Sequence, residues 1–181
     1  MNIFALDPDP IIAARYSCDR HTIKMILETA QLLSTAHRVL DGHLTVGLSK
    51  SGNRQKQYIH PQVLLYKATH INHPSAVWTR SGVLQYKWLA QHLKALCDEY
   101  TFRYGKVHKT QRDGLVDWLL TNTPKNLSVS EFSLPTPAMP VECIIKDSVV
   151  ESYRNYYRTS KRHLASWSGK IQGRHTPDWY F

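Results

Sequence analysis

Three residues that could perform acid–base chemistry recur at intervals of three and four in one segment: His21, Lys24 and Glu28. In an α-helix these intervals place side chains on one face. A base, a cation and a carboxylate at a single site could move a proton to or from a substrate. The same residues could instead form a solvated helix face with a Lys24–Glu28 ion pair, which implies no function. The spacing alone leaves both interpretations open, and it places Gln31 on the same face.

A second candidate is the turn Asn72-His73-Pro74, which precedes Trp78 and Arg80. Proline disfavours a helical conformation for the residue before it, so His73 is expected in an extended conformation at a rigid turn. Histidine is the side chain most readily tuned for proton transfer near neutral pH. The alternative is that Asn72 caps the following helix and that His73 satisfies a buried carbonyl group.

A third candidate is the stripe formed by Trp88, His92, Glu99 and Arg103 on a predicted long helix. Glu99 and Arg103 are one turn apart, and His92 lies two turns before Glu99. An arginine held by a glutamate suits phosphate recognition. An ordinary ion pair on the helix surface would show the same spacing.

The C-terminal part of the chain interleaves basic and aromatic residues. Between residues 150 and 181 there are six Lys or Arg residues against two acidic ones. Such a pattern can neutralise phosphates and offer stacking platforms for unpaired bases. The alternative is that Tyr153 and Tyr157 pack inward. The predicted nucleic-acid contacts here are Arg154, Arg158, Lys161 and Arg162, in addition to Arg80 and Arg103.

The periodicity predicts an all-α, mostly helical fold with a single domain over residues 1–181. We expect an extended segment at 2–6, a short helix at 11–16, and a long helix from 19 or 20 to Leu40 that stops at Asp41-Gly42. Further helices are expected at 82–104, 112–120 and 148–164. Residues 43–61 are predicted to be a basic loop with Lys50 near its centre, because they show no clear periodicity.

Composition limits the partners and the location of the protein. The formal net charge is +9, which favours an anionic partner such as nucleic acid, with nucleotides and membrane surfaces as alternatives. The three cysteines form no C-x-x-C pair and the ten histidines show no H-E-x-x-H spacing, so we expect no metal and no cofactor. No apolar run is long enough to span a membrane and no signal peptide is evident, so the expected location is the cytoplasm.

Residues 17–31, together with Asn72-His73-Pro74, Trp78 and Tyr86, resemble the pyrimidine-dimer DNA glycosylase (endonuclease V type) superfamily. The resemblance extends to about residue 110 and is greatest for longer members and small phage proteins. It implies a compact all-α fold and action on damaged pyrimidines in DNA without a metal. Phage repair enzymes of this superfamily form an imine between their N-terminal amine and the sugar C1′, helped by a helical glutamate. The resemblance implies that Glu28 is this carboxylate and that Arg20 and Lys24 contact phosphate or sugar. Asp19 is expected to be a further residue of the pocket.

Residue 2 departs from the imine-forming pattern. Asn2 is not one of the small residues that permit removal of Met1, so we expect a retained Met1 and a displaced amine. The sequence therefore predicts an enzyme on a pyrimidine nucleotide of DNA without N-terminal imine chemistry. One alternative is a transferase that replaces a phosphorylated hydroxymethyl group on thymine with a small amine or amino acid. In that reaction His73, His21 or Glu28 would deprotonate the nucleophile. Another alternative is a non-catalytic phage protein that binds nucleotide or DNA.

Overall fold

The structure is a computed structural model that describes residues 1–48 and 51–181. The described residues form seven α-helices and one β-hairpin. The elements are α1 (Pro10–Tyr16), α2 (Asp19–Asp41), β1 (His43–Leu48), β2 (Arg54–Ile59), α3 (Pro74–Thr79), α4 (Val83–Tyr104), α5 (Lys109–Arg112), α6 (Leu115–Thr121) and α7 (Val149–Arg158). The fold is mostly helical, as the periodicity predicted.

The two long helices α2 and α4 pack against each other, and α1 packs on α4. Local signals explain their boundaries. The Asp9 carboxylate accepts hydrogen bonds from the backbone N–H groups of Ile11 and Ile12, and Pro10 occupies the first turn of α1. Gly105 ends α4 in the left-handed conformation, with φ at 65°. The core between these helices contains Ile26, Leu33, Leu89, Leu93 and Leu96, all fully buried.

Residues 43–59 are not the loop that the sequence predicted. Strands β1 and β2 pair antiparallel, with Leu44 opposite Tyr58, Val46 opposite Lys56 and Leu48 opposite Arg54. Arg38 fastens the base of this hairpin, because its guanidinium donates hydrogen bonds to the carbonyl groups of Tyr58, Leu65 and Tyr66. Lys50, predicted at the centre of the loop, lies outside the described residues.

Two predicted helices differ from the observed ones. The helix predicted at 112–120 is divided into α5 and α6 by Gly114, which has a φ of 84° that L side chains rarely adopt. The last helix ends at Arg158 instead of Leu164. The Thr159 hydroxyl and backbone N–H both donate to the Asn155 carbonyl there, so the local hydrogen bonds of a threonine end the helix. A short 3₁₀ helix at Arg162–Leu164 follows.

The first six residues run through the core, although they form no strand. Ile3, Phe4, Ala5 and Leu6 are buried. Arg154 of α7 donates a hydrogen bond to the Leu6 carbonyl, and Phe4 contacts Tyr153 and Tyr157 of the same helix edge to face. The C-terminal helix therefore fixes the course of the N-terminal segment. Within the described residues, no helix is both long and apolar enough to cross a bilayer.

Candidate active site

The amino terminus of the chain lies beside the carboxylate of Glu28. The Met1 nitrogen is 3.7 Å from Glu28 Oε2, and the Asn2 backbone N–H donates a 3.1 Å hydrogen bond to the same oxygen. Lys24, one turn earlier on α2, lies 3.2 Å from Glu28 Oε1. Glu28 is 14% exposed, whereas Lys24 is 69% exposed. The Glu28 carboxylate is therefore largely enclosed, between the amino terminus and a cation at the solvent edge.

The Asn2 side chain holds this amine in place. Its Nδ2 donates to the Ala138 carbonyl at 2.9 Å, and its Oδ1 accepts a 2.8 Å hydrogen bond from the hydroxyl of Tyr153. Tyr153 is fully buried in α7, and burial raises the pKa of its phenol, so the hydroxyl remains a donor at neutral pH. Three distant parts of the chain therefore determine where residues 1 and 2 lie.

His73 is the N-cap of α3 and faces the same site. Its Nδ1 accepts a 3.2 Å hydrogen bond from the Ser75 backbone N–H, and Pro74 occupies the first turn of the helix. Burial lowers the pKa of His73, the Met1 amine and His70 lower it further, and Glu28 opposes them. The ring is thus within electrostatic range of both Met1 and Glu28. A neutral imidazole at this position could act as a base.

Other predicted site residues surround this centre. Arg20, one turn before Lys24 on α2, is exposed. Lys161 lies over the ring of Tyr156, and together with Lys24 it lowers the pKa of His21. Gln31 is partly buried on α2, whereas Asn72 is exposed beside His73. Two exposed cations, Arg20 and Lys24, therefore lie on the helix that carries Glu28, and Lys161 of the C-terminal part of the chain lies near His21.

His21 and His92 were predicted to be catalytic, but both lie in the core. His21 stacks on Phe4 with ring centroids 4.1 Å apart, and its Nδ1 forms a hydrogen bond with the Tyr157 hydroxyl. His92 stacks on Trp88 and donates from Nδ1 to the Pro10 carbonyl. Burial lowers the pKa of His21 to about 3 and that of His92 to about 4. These rings support the fold, and the catalytic interpretation is corrected for both.

Arg103 and Glu99 form a buried network instead of a phosphate site. Arg103 is fully buried; it pairs with Glu99 and Asp19 and donates to the carbonyl groups of Ser17 and Arg15. Arg174 of the C-terminal tail adds a 2.6 Å ion pair with Glu99. Asp19 also accepts hydrogen bonds from Ser166 and Gly169. A guanidinium with no exposed surface cannot reach a phosphate, so the predicted contact between Arg103 and nucleic acid is wrong.

Several other predicted contacts are already engaged within the protein. The Trp78 and Trp88 indoles are buried and donate to the carbonyl groups of Ser133 and Pro8, so neither offers a free stacking surface. Arg80 donates to the Ile71 and Ala76 carbonyl groups. Arg154 pairs with Glu151 and Asp7, and Arg158 donates to the Trp179 carbonyl. Arg162 is exposed.

Among the described residues, one group brings three potential metal ligands within 4.8 Å of one another: His37, Asp41 and His60. Each already has a protein partner. His37 Nε2 forms a hydrogen bond with the Tyr86 hydroxyl, and His60 Nδ1 accepts from the backbone N–H of Gln62. The Asp41 carboxylate accepts from the backbone N–H groups of residues 125 and 126. The group thus joins α2 to the base of the hairpin, and the expectation of no metal stays a prediction.

Sequence reasoning missed three contributors to the site: the Met1 amine, Asn2 and Tyr153. Tyr153 and Asn2 are about 150 residues apart in the chain. Periodicity reports only local neighbours, so it could not predict the hydrogen bond between them. One signal was present. The buried interpretation of Tyr153 and Tyr157, left open above, is the observed one, since both are fully buried.

A family model described as pyrimidine dimer DNA glycosylase matches residues 1–113. This match begins at the amino terminus and includes Glu28 and the turn at His73. Comparisons with curated proteins and with solved structures found no match.

Proposed function

The chain belongs to the pyrimidine dimer DNA glycosylase family, and from this membership we propose that it removes a damaged pyrimidine from DNA with Glu28 and the N-terminal amine as the reacting pair. One observation carries the proposal: the Met1 nitrogen and the Asn2 nitrogen lie 3.7 Å and 3.1 Å from the same carboxylate oxygen. A carboxylate at this distance can accept a proton from the amine, which frees the nitrogen lone pair for attack.

The reaction follows from this pairing. The amine nitrogen would attack C1′ of the damaged nucleotide, the bond from C1′ to the base would break, and the base would leave with that electron pair. The nitrogen would then lose a proton to Glu28. Its lone pair would form the C=N bond as the C1′–O4′ bond breaks, and O4′ would leave with that electron pair and take up the proton from Glu28, which gives the protonated imine. The nucleotide must first leave the base stack. The exposed cations Arg20 and Lys24 on the same helix favour this step, since they can hold the flanking phosphates.

The geometry changes our expectation about Met1. A retained Met1 was expected to displace the amine, yet its nitrogen lies beside Glu28 and its side chain is only 3% exposed. Removal of Met1 would transfer the amine to Asn2, whose nitrogen is 0.6 Å closer to the same oxygen (3.7 against 3.1 Å). The chain presents an amine to the carboxylate whether Met1 is retained or removed, so the identity of residue 2 does not argue against imine chemistry.

Borohydride trapping on ultraviolet-irradiated duplex DNA tests the proposal, because reduction converts an imine into a stable covalent adduct. We expect one adduct whose cross-linked peptide begins at Met1 or Asn2. A non-cleavable extension before Met1 should abolish the adduct, whereas the same extension placed after Phe181 should not. The extension relocates the amine and leaves Glu28 in place.

The outcomes distinguish the alternatives. Base release without an adduct would restore the predicted reaction without N-terminal imine chemistry and remove the amine from the mechanism. An adduct at Lys24 would keep imine chemistry but assign the nucleophile to α2. With DNA that contains a phosphorylated hydroxymethyl pyrimidine, a mass increase by an added amine or amino acid would indicate the transferase. Binding without any product would indicate the non-catalytic protein.

A further inference from the structure

The β1–β2 hairpin presents a surface that the proposed reaction at Glu28 does not use. Residues directly opposite each other in an antiparallel pair share one face of the sheet, so Leu44, Val46 and Leu48 lie beside Tyr58, Lys56 and Arg54, respectively. The three apolar side chains of β1 are 50%, 59% and 68% exposed, increasing toward the tip. We call these three residues the apolar ridge. An exposed apolar ridge on a two-stranded sheet is typical of a surface with a partner.

The charge beside this ridge has one sign. Among the described residues of the hairpin, Arg54 and Lys56 are basic and none is acidic. A groove of 220 Å³ lies between β2 and residues 67–71, and Lys56, Lys67 and Arg38 contribute to its lining. Within residues 1–48 and 51–181, none of Arg54, Lys56 and Lys67 forms an ion pair. These cations are available to phosphates.

The groove and the candidate active site are linked by a short stretch of chain. Ile71 lines the groove and precedes His73 by two residues. The charges of the Met1 amine and of Glu28 both act on the pKa of His73. Arg38 holds the carbonyl group of Tyr58 and those of residues 65 and 66, which fixes the hairpin relative to the other groove wall. The same helix, α2, carries Glu28 in its middle part and leads directly into the hairpin at its end.

We propose that the hairpin and this groove bind the DNA duplex beside the lesion: Arg54, Lys56 and Lys67 contact phosphates and the apolar ridge lies against the minor groove. Proteins that distort DNA for access to a nucleotide combine cations on the backbone with apolar side chains between base steps. This surface has both in adjacent rows. The inference rests on the proposed function, because it takes its ligand from the glycosylase reaction.

A charge-matched pair of variants tests the phosphate contacts. The hairpin variant carries R54Q, K56Q and K67Q, and the control carries K87Q, K106Q and K146Q, all exposed lysines elsewhere. Each lowers the formal net charge by three, from +9 to +6. With irradiated duplex oligonucleotide, the hairpin variant should bind at least tenfold more weakly, and its slope of log affinity against log salt should fall by about 2 to 3. The control should change each quantity much less. Equal effects in both variants would overturn the proposal.

The apolar ridge has its own test, the variant V46S with L48S. These exposed substitutions should leave the melting temperature unchanged and should lower the affinity for irradiated duplex at least threefold, with the salt slope retained. Unchanged affinity would remove the ridge from the interface. Sedimentation of the free protein tests the competing occupant, a second copy of the chain. A dimer that these substitutions dissociate, with DNA affinity unchanged, would assign the ridge to self-association and contradict the proposal.

The readouts separate this inference from the proposed function. Affinity and salt slope test the hairpin and require no catalysis. Base release by the wild-type protein at saturating concentration tests the reaction at Glu28. A wild-type protein that binds through the hairpin but releases no base would contradict only the proposed function. A hairpin variant with a reduced single-turnover rate and unchanged affinity would contradict only the proposed DNA contact of the hairpin.

Discussion

At the scale of single residues, Glu28 is the centre of the candidate site because three nitrogen atoms converge on its two oxygens. The sequence placed Glu28 on a polar helix face but left open whether it formed only an ion pair with Lys24. That ion pair exists, and Lys24 is largely exposed, so it contributes only about 0.3 to 0.5 kcal/mol. The Met1 and Asn2 nitrogens also lie beside Glu28, and an ordinary surface ion pair with Lys24 does not explain this contact.

We expect Glu28→Gln to abolish base release while DNA affinity stays within about threefold of wild type. The amide keeps an oxygen that can accept from the Asn2 N–H, but it cannot take a proton from the amine. Asp98→Asn is a matched control, because Lys94 and Asp98 form the same pair one helical turn apart on α4. Single-turnover assays on irradiated duplex measure the effect. Full activity of the Gln variant would exclude Glu28 from the mechanism.

The two possible roles of His73, cap and base, call for two substitutions. Alanine removes the acceptor for the Ser75 N–H and should cost about 1 kcal/mol of stability. Asparagine is a good N-cap but a poor base, so His73→Asn should retain the stability of the wild type. If His73 moves a proton during turnover, the Asn variant should still lose at least tenfold in rate. Equal rates for the Asn variant and wild type would leave His73 as a helix cap only.

At the scale of elements, the helices follow from the sequence better than their roles do. The boundaries of α2 and α4 agree with the predictions to within about two residues, because caps and stop signals are local. The hairpin was missed although Leu44, Val46 and Leu48 alternate as a strand does, since the polar and basic residues that follow them were taken as loop composition. The pattern of α7 was ambiguous, because its basic and aromatic residues describe packing against the N-terminal segment as well as they describe DNA binding, which stays a prediction.

This packing gives α7 a positioning role that can be measured. Tyr153→Phe removes the hydroxyl that donates to Asn2 Oδ1 and should cost about 1 kcal/mol of stability. Because Asn2 then loses one of its anchors, the yield of the borohydride adduct should fall several-fold. Tyr156→Phe, three residues away and only partly buried, is the control and should leave the yield unchanged. Equal yields in the two variants would show that the core alone positions the amine.

At the scale of the whole molecule, the histidines and charges that looked catalytic in the sequence mostly hold distant segments together. Arg103, Glu99 and Arg174 connect α4 to the residues before α2 and to the C-terminal tail. His92 connects α4 to the start of α1. Burial could not be read from residue types, because a titratable group on a helix has the same spacing whether it faces solvent or the core. The interior of this protein is consequently unusually rich in titratable groups.

These buried histidines predict acid sensitivity. Burial lowers the pKa of His21 to about 3 and the pKa values of His37 and His92 to about 4, against about 6.5 in the unfolded chain. Between these values the unfolded chain binds protons that the folded protein does not, so stability is complete above about pH 6.5 and falls as the pH decreases. At pH 5 the loss is about 2 kcal/mol for each histidine. Three together approach the total stability of a typical domain, about 5 to 15 kcal/mol.

We therefore expect urea midpoints to fall steeply from pH 6.5 to pH 4.5, with acid unfolding in that interval. His92→Gln should reduce this slope by about one third, because one of three comparable histidines no longer titrates while the glutamine amide can still donate to the Pro10 carbonyl. His163→Gln, at an exposed position, should leave the slope unchanged. The slope of the urea midpoint against pH is determined within each variant. A loss of stability that is the same at every pH therefore does not change the slope. A wild-type midpoint that is flat across this interval would show that these rings are hydrated in solution.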